Sequence, residues 1–145
     1  MITDLPLTVR YALAACLFLA QKHDKGRASG RGIAEATGIP PAFLAKVLQQ
    51  LGRSGVIEGE RGHRGGYRLA RPPAEVFIAD VVGAVTDRDG QPTACALGDR
   101  DCSADVPCAL HDLWAAATAP LSRLAETVTL DRLCHMDEGT ILAER

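Results

Sequence analysis

The stretch Gly55-Val56-Ile57-Glu58-Gly59-Glu60-Arg61-Gly62-His63-Arg64-Gly65-Gly66-Tyr67-Arg68-Leu69-Ala70 decides the fold. Gly55 to Glu58 reads as a short strand and Tyr67 to Ala70 as its antiparallel partner, because both carry β-branched, aromatic or apolar residues on either side of a turn-rich segment. The tip, Arg61 to Gly66, interleaves three glycines with three cationic or ionisable side chains. Such a tip turns sharply, lets the backbone approach a phosphate ladder and sends side chains into a groove. Ordinary hairpins also have glycine-rich tips. As a nucleotide cradle this one lacks the strand, terminal Lys-Ser/Thr and helix of a P-loop, so a wing that meets DNA is the better reading.

The residues upstream fit that reading. Val9, Ala12, Leu13, Cys16, Leu17 and Ala20 fall on one face of a helix over about 8–22. A polar loop from His23 to Arg31 precedes a short helix holding Ile33, Ala34 and Thr37, which Gly38 ends. Pro40 and Pro41 suit a cap and first turn, after which Phe43, Leu44, Val47, Leu48 and Leu51 recur at helical spacing up to Gly52 or Ser54. Two helices joined by a tight turn form the helix-turn-helix arrangement that enters the major groove.

Charge divides along the chain. Residues 1–75 hold 11 Lys and Arg against six Asp and Glu, net +5, whereas residues 76–145 hold five against 12, net −7. A basic half suits a polyanionic partner, and a solvated basic face is the plainer alternative. With 47% hydrophobic, 23% charged and only 4% aromatic residues, the chain needs a packed core of Leu, Val, Ile and Ala, which favours helices. No apolar run reaches the roughly 18 residues of a membrane span, and the amino terminus carries no export signal. The chain is expected in the cytoplasm, where cysteines serve as thiols, metal ligands or redox sensors rather than as structural disulfides.

Ile78 to Val85 is apolar nearly throughout and reads as a buried helix. The loop from Thr86 to Pro107 follows, and a loop this long in a small domain is functional or without fixed structure. It leads Cys95, Cys102 and Cys108 to His111, three residues beyond. A helix starting near Pro107 places Cys108 and His111 on one face, with the loop cysteines closing from the other side. Thiolates with imidazole suit zinc or iron–sulfur iron, although the paired Cys-x-x-Cys knuckles of common zinc folds are missing. Cys16 sits on an apolar helix face and reads as core; Cys134 lies in a short terminal helix without a ligand set. Leu110, Leu113, Trp114, Ala117, Leu121, Leu124 and Val128 form one stripe on a long helix containing Pro120. A second copy of the chain would bury that stripe; packing against the first helix is the alternative.

In order along the chain, Arg10-Tyr11-Ala12-Leu13, Ile33-Ala34-Glu35 to Ile39-Pro40, Leu44 to Leu51, and Arg61-Gly62-x-x-Gly65-Gly66-Tyr67-x-Leu69 resemble the Rrf2 family of bacterial winged-helix regulators, with its IscR-like and NsrR-like branches. The resemblance runs from about Leu7 to Leu133 and implies a homodimer on a palindromic operator in double-stranded DNA. It places major-groove contacts at Pro41, Ala42, Phe43, Ala45 and Lys46 and wing contacts at Arg61, His63 and Arg64. Phe43 fits the core equally well, and Ala45 stands where one branch carries an acidic residue. Cluster-binding members carry three cysteines in the same loop, commonly with gaps of five and five, whereas the first gap here is six. His111 matches their histidine. Where some members use an acidic ligand from the first helix of the partner subunit, the corresponding position in this chain is Arg10, with Asp4 the nearest acid. The resemblance thus implies a 2Fe-2S cluster on Cys95, Cys102, Cys108 and His111.

The expected architecture is mainly α with a small β-wing: a winged helix-turn-helix domain over 1–75, then a cluster-binding loop and dimerisation helices over 76–145. The expected function is transcription regulation in response to redox state, nitric oxide or iron, and no enzymatic activity. Metal-free thiol switching or zinc on the same fold is the alternative. A thiol enzyme using His111 as base lacks an oxyanion motif and an orienting partner.

Overall fold

The computed structural model describes residues 5–86, 95–97 and 102–136; Asp4 and the loop positions 87–94 and 98–101 lie outside them. Helix α1 (Leu7–Gln21) is the centre of the domain. Val9, Ala12, Ala14, Ala15, Cys16, Leu17, Leu19 and Ala20 are all buried, more than the single face its periodicity predicts. Small side chains make this possible, since alanine lets α2, α3, α4 and α6 pack close on several sides at once.

Helix α2 (Gly30–Thr37) begins at Ser29, whose Oγ accepts the Gly32 N–H at 3.0 Å, and ends at Gly38 in the left-handed conformation. Helix α3 (Pro41–Arg53) starts with Pro41 in its first turn, where a missing N–H costs nothing, and buries Leu44, Val47, Leu48 and Leu51. These two helices and their three-residue turn are the helix-turn-helix expected from the sequence.

Strands β1 (Ile57–Glu60) and β2 (Gly66–Leu69) pair antiparallel in the register Ile57↔Leu69, Glu58↔Arg68, Gly59↔Tyr67 and Glu60↔Gly66. The first strand starts two residues later than predicted. Gly55 and Val56 are used to leave α3: Gly55 takes φ +73°, and the Val56 N–H donates back to the Leu51 carbonyl at 3.1 Å. A third segment joins the hairpin, because Ala28 and Tyr67 exchange two backbone hydrogen bonds of 2.9 and 2.8 Å. The segment read as a plain loop therefore contributes to the sheet.

Helix α4 (Ile78–Thr86) is half-buried rather than wholly buried as expected, with Val81 alone fully covered. Helices α5 (His111–Thr127) and α6 (Leu130–Met136) follow. The link between them pairs with the entry to α4 through Ile78 N–H to Val128 O at 3.0 Å and Leu130 N–H to Val76 O at 2.9 Å. Val76, Val81 and Leu130 belong to one core with Ile33, Leu44 and Leu51, so the carboxy-terminal helices are anchored on the helix-turn-helix unit.

Helix α5 differs from the others. It buries none of its residues, continues through Pro120, and packs on α4 instead of α1. Leu113, Leu121 and Leu124 are 70%, 65% and 58% exposed. Among the described residues, no helix is long and apolar enough to cross a membrane.

Candidate functional site

Two groups of side chains carry chemistry. The first lies on α3 and the wing. Alternation on α3 turns Leu44, Val47 and Leu48 inward, which leaves Pro41, Ala42, Phe43, Ala45 and Lys46 exposed along the opposite face. Phe43 is 56% exposed and so is not a core residue; its ring meets Tyr11 of α1 edge-on at 6.1 Å. At the wing, Arg61, His63 and Arg64 are all exposed, and neither arginine forms an ion pair among the described residues.

Glycine sets the wing's shape. A Cβ on Gly65 would stand 2.2 Å from the Glu60 carbonyl oxygen, and one on Gly66, at φ +127°, would stand 2.6 Å from the Ala28 carbonyl oxygen. Neither backbone neighbour can give way, so the tight tip and its contact with the Ala28 segment require glycine at both positions.

At the wing root, Arg27 reaches across from the Ala28 segment with its side chain only 18% exposed. It donates to Glu58 Oε1 at 3.3 Å and to Glu60 Oε2 at 3.0 Å. Arg68, opposite Glu58 in the register, donates to the same Glu58 oxygen. That hydrogen bond from Arg68 holds the Glu58 carboxyl below the usual range against its desolvation, and the charges of Arg68 and Arg27 add to the effect. Sequence reasoning missed this group: nothing in the local pattern at Arg27 signals a partner 31 residues away.

The second group lies ahead of α5. Cys95, Cys102 and Cys108 converge with all three sulfurs within 4.8 Å of one another. Cys95 Sγ lies 3.7 Å from Cys108 Sγ, and Cys95 is 9% exposed. The helix begins at His111 rather than near Pro107, so Cys108 is not on its face; a turn closed by the His111 N–H on the Cys108 carbonyl at 3.0 Å sets their spacing. The imidazole then meets a different cysteine from the neighbour its spacing predicts, with Nδ1 3.3 Å from Cys102 Sγ.

The backbone N–H of Cys108, 3.4 Å from Cys102 Sγ, favours the Cys102 thiolate. Desolvation and the neighbouring Cys108 and Cys95 thiols outweigh it, and the Cys102 thiol is raised above its ordinary value. A cation bound among the sulfurs would reverse that balance, since metal ligation displaces thiol protons. Three sulfurs and an imidazole are soft to borderline donors of the kind that hold iron–sulfur clusters or zinc, and their convergence fits such a group. Cys16 and Cys134 stand apart: Cys16 is wholly buried in α1, and Cys134 Sγ lies 4.0 Å from the Leu17 carbonyl oxygen.

A helix-turn-helix with a basic wing, on a scaffold that gathers three cysteines and a histidine beside a long exposed helix, defines a winged-helix transcription regulator. Residues 6–136 match the family model Rrf2, described as an iron-dependent transcriptional regulator, and the chain belongs to that family. It is 34% identical over 133 residues to an Aquifex aeolicus protein named as an HTH-type transcriptional regulator, covering 90% of this chain and 91% of the relative. It is 29% identical over 136 residues to IscR of Xenorhabdus nematophila, covering 94% and 82%. Among solved structures it resembles CymR, the global cysteine regulator of B. subtilis, with TM-score 0.73, 23% identity and coverage of 93% and 98%. It resembles T. potens IscR with TM-score 0.73, 22% identity and coverage of 98% and 93%.

Proposed function

We propose that the chain is a cytoplasmic, homodimeric regulator that binds a palindromic operator in double-stranded DNA and responds to redox state, nitric oxide or iron supply through a 2Fe-2S cluster. Residues 1–75 read the DNA, and residues 76–145 hold the cluster and pair the subunits. The observation that carries the cluster is the meeting of Cys95, Cys102 and Cys108 within 4.8 Å, with His111 on Cys102. When bound, the cluster supplies a redox- and nitric-oxide-labile centre. The protein's part is to fix the loop against the start of α5. The exposed apolar stripe of α5 supports a two-fold partner, and the ligands at its start tie their own order to the helix that sets the spacing of two readers. On the DNA, the exposed face of α3, with Pro41, Ala42, Phe43 and Lys46, enters the major groove. Arg61, His63 and Arg64 of the wing follow the adjacent minor groove.

Anaerobic purification tests this reading. The expected result is a coloured protein with visible absorption, and iron and sulfide at about one two-iron cluster per subunit. Protein that stays colourless after reconstitution with iron and sulfide overturns it.

A second reading rests on the 3.7 Å approach of Cys95 Sγ to Cys108 Sγ. A peroxide could accept two electrons and two protons from this pair, leaving two waters, or an alcohol and a water from an organic peroxide, and a Cys95–Cys108 disulfide, and so switch DNA binding without metal. Among solved structures of similar fold is the oxidized form of Staphylococcus aureus CymR. Full activity in metal-free protein, with loss of two thiols on peroxide treatment, favours this reading over the cluster.

A further inference from the structure

The wing of this regulator carries acid where DNA-facing surfaces usually carry base. Glu58 and Glu60 lie on β1, and the strand runs directly into the arginine-bearing tip. These carboxylates are engaged by Arg27 at 3.3 and 3.0 Å, and Glu58 also by Arg68. The four charges cancel. By contrast, Arg61 and Arg64, one turn further along the hairpin, make no ion pair among the described residues. Arg27 stands two residues before Ser29, the cap of α2, and Arg68 follows the Tyr67 that bonds Ala28, so the clasp joins the helix start to the wing root. In a helix-turn-helix these are places where the phosphate backbone passes.

We propose that Glu58 is a specificity-determining residue: it withholds Arg68 from DNA phosphates, while Glu60 keeps Arg27 engaged beside it, so that the uncompensated charge of the wing is confined to its tip. The Arg68–Glu58 pair is exposed at both ends and contributes little to stability, so its consequence lies in the charge presented to a polyanion. Phosphate contacts bind every sequence alike, and each cation removed from them lowers non-specific affinity without touching base readout. The clasp thus acts against random DNA while the tip and α3 retain the operator. The inference rests on the reading that the wing meets DNA.

The test uses the full-length protein and a random-sequence duplex, with affinity followed by anisotropy across a salt series. Glu58→Gln frees Arg68 and should steepen the log–log salt slope by about 0.9, the value for one added phosphate contact on duplex DNA. Non-specific affinity should rise several-fold at low salt. Arg68→Gln should leave the wild-type slope unchanged, because Arg68 is already neutralised, whereas Arg61→Ala should flatten it by about 0.9. A Glu58→Gln slope equal to wild type, or Arg68→Gln flattening the slope as much as Arg61→Ala, overturns the inference. If Glu58→Gln fails to fold by circular dichroism, the contrast between Arg68→Gln and Arg61→Ala decides alone. Wild-type protein that binds no duplex overturns the DNA-binding function and this inference with it; normal wild-type binding with either contrary result overturns the inference only.

Discussion

His111 Nδ1 lies 3.3 Å from Cys102 Sγ, so the first residue of α5 is held by the cysteine nine residues before it rather than by Cys108. This contact joins the loop to the helix. Replacing the imidazole removes both a donor and that link, while the three sulfurs remain. His111→Ala should therefore still take up iron but hold it poorly. Loss of an outer partner alone costs roughly 10–100-fold in metal affinity, and loss of a ligand should cost at least as much. Iron and sulfide analysis after anaerobic reconstitution, with decay of visible absorption in air, measures this; a variant as stable as wild type excludes His111 as a ligand.

The wing tip makes a separate prediction. Arg61 and Arg64 are exposed and uncompensated, and if both lie on phosphates or in the minor groove each contributes to counterion release. Arg61→Ala with Arg64→Ala should flatten the salt slope of duplex binding by about 1.8, at roughly 0.9 per contact. Neither residue touches the core, so the melting temperature should stay within a degree or two. A slope unchanged by the double substitution would show that the wing lies off the DNA.

Much of this was readable from the chain. Apolar periodicity located α1, α2 and α3, because each buries a stripe whose spacing is written locally, and Gly38, Pro41 and the wing glycines marked their ends. The cysteine spacing pointed to the three sulfurs that meet. What was not readable depended on long-range geometry. Ala28 becomes part of the sheet only because Tyr67 arrives beside it, and Arg27 finds Glu58 only because of that pairing. The start of α5 slipped from Pro107 to His111 because the chain makes a turn at Cys108, and that turn hands His111 to Cys102. Phe43 followed the helical repeat of core residues but sits at the edge of the buried stripe, where Tyr11 covers one side of it.

The exposed stripe of α5 predicts the subunit state. Leu113, Leu121 and Leu124 present apolar surface that no other described residue buries. Burying a leucine is worth about 1.5–3 kcal/mol, and two-fold symmetry counts each one twice. Leu121→Glu would place a charge at the same seam in both copies. It should raise the dimer dissociation constant by at least about a hundredfold, since each 1.4 kcal/mol is a factor of ten. Size-exclusion chromatography with light scattering should show wild-type dimer and Leu121→Glu monomer at micromolar concentration. The circular dichroism of the two should agree, because α5 contributes no side chain to the core.

Cys16 gives a pH prediction whose sign follows from burial. It is fully enclosed in α1, and desolvation pushes its thiol up to about 12 from an ordinary 9.0. The folded state therefore binds a proton that the unfolded chain releases above pH 9. Below that pH both states carry the neutral thiol and the group leaves stability unchanged. Between pH 9 and 12 the unfolded state gains the thiolate, and stability falls by about 1.4 kcal/mol per pH unit, or about 3 kcal/mol by pH 11. Cys16→Ala loses some packing at every pH but removes this titration. The wild-type urea midpoint should drop more steeply than that of Cys16→Ala from pH 9 to 11, and iodoacetamide at pH 8 should leave Cys16 unlabelled until the protein unfolds. Parallel midpoint curves would mean that the thiol ionises in place, with water reaching α1 at its centre.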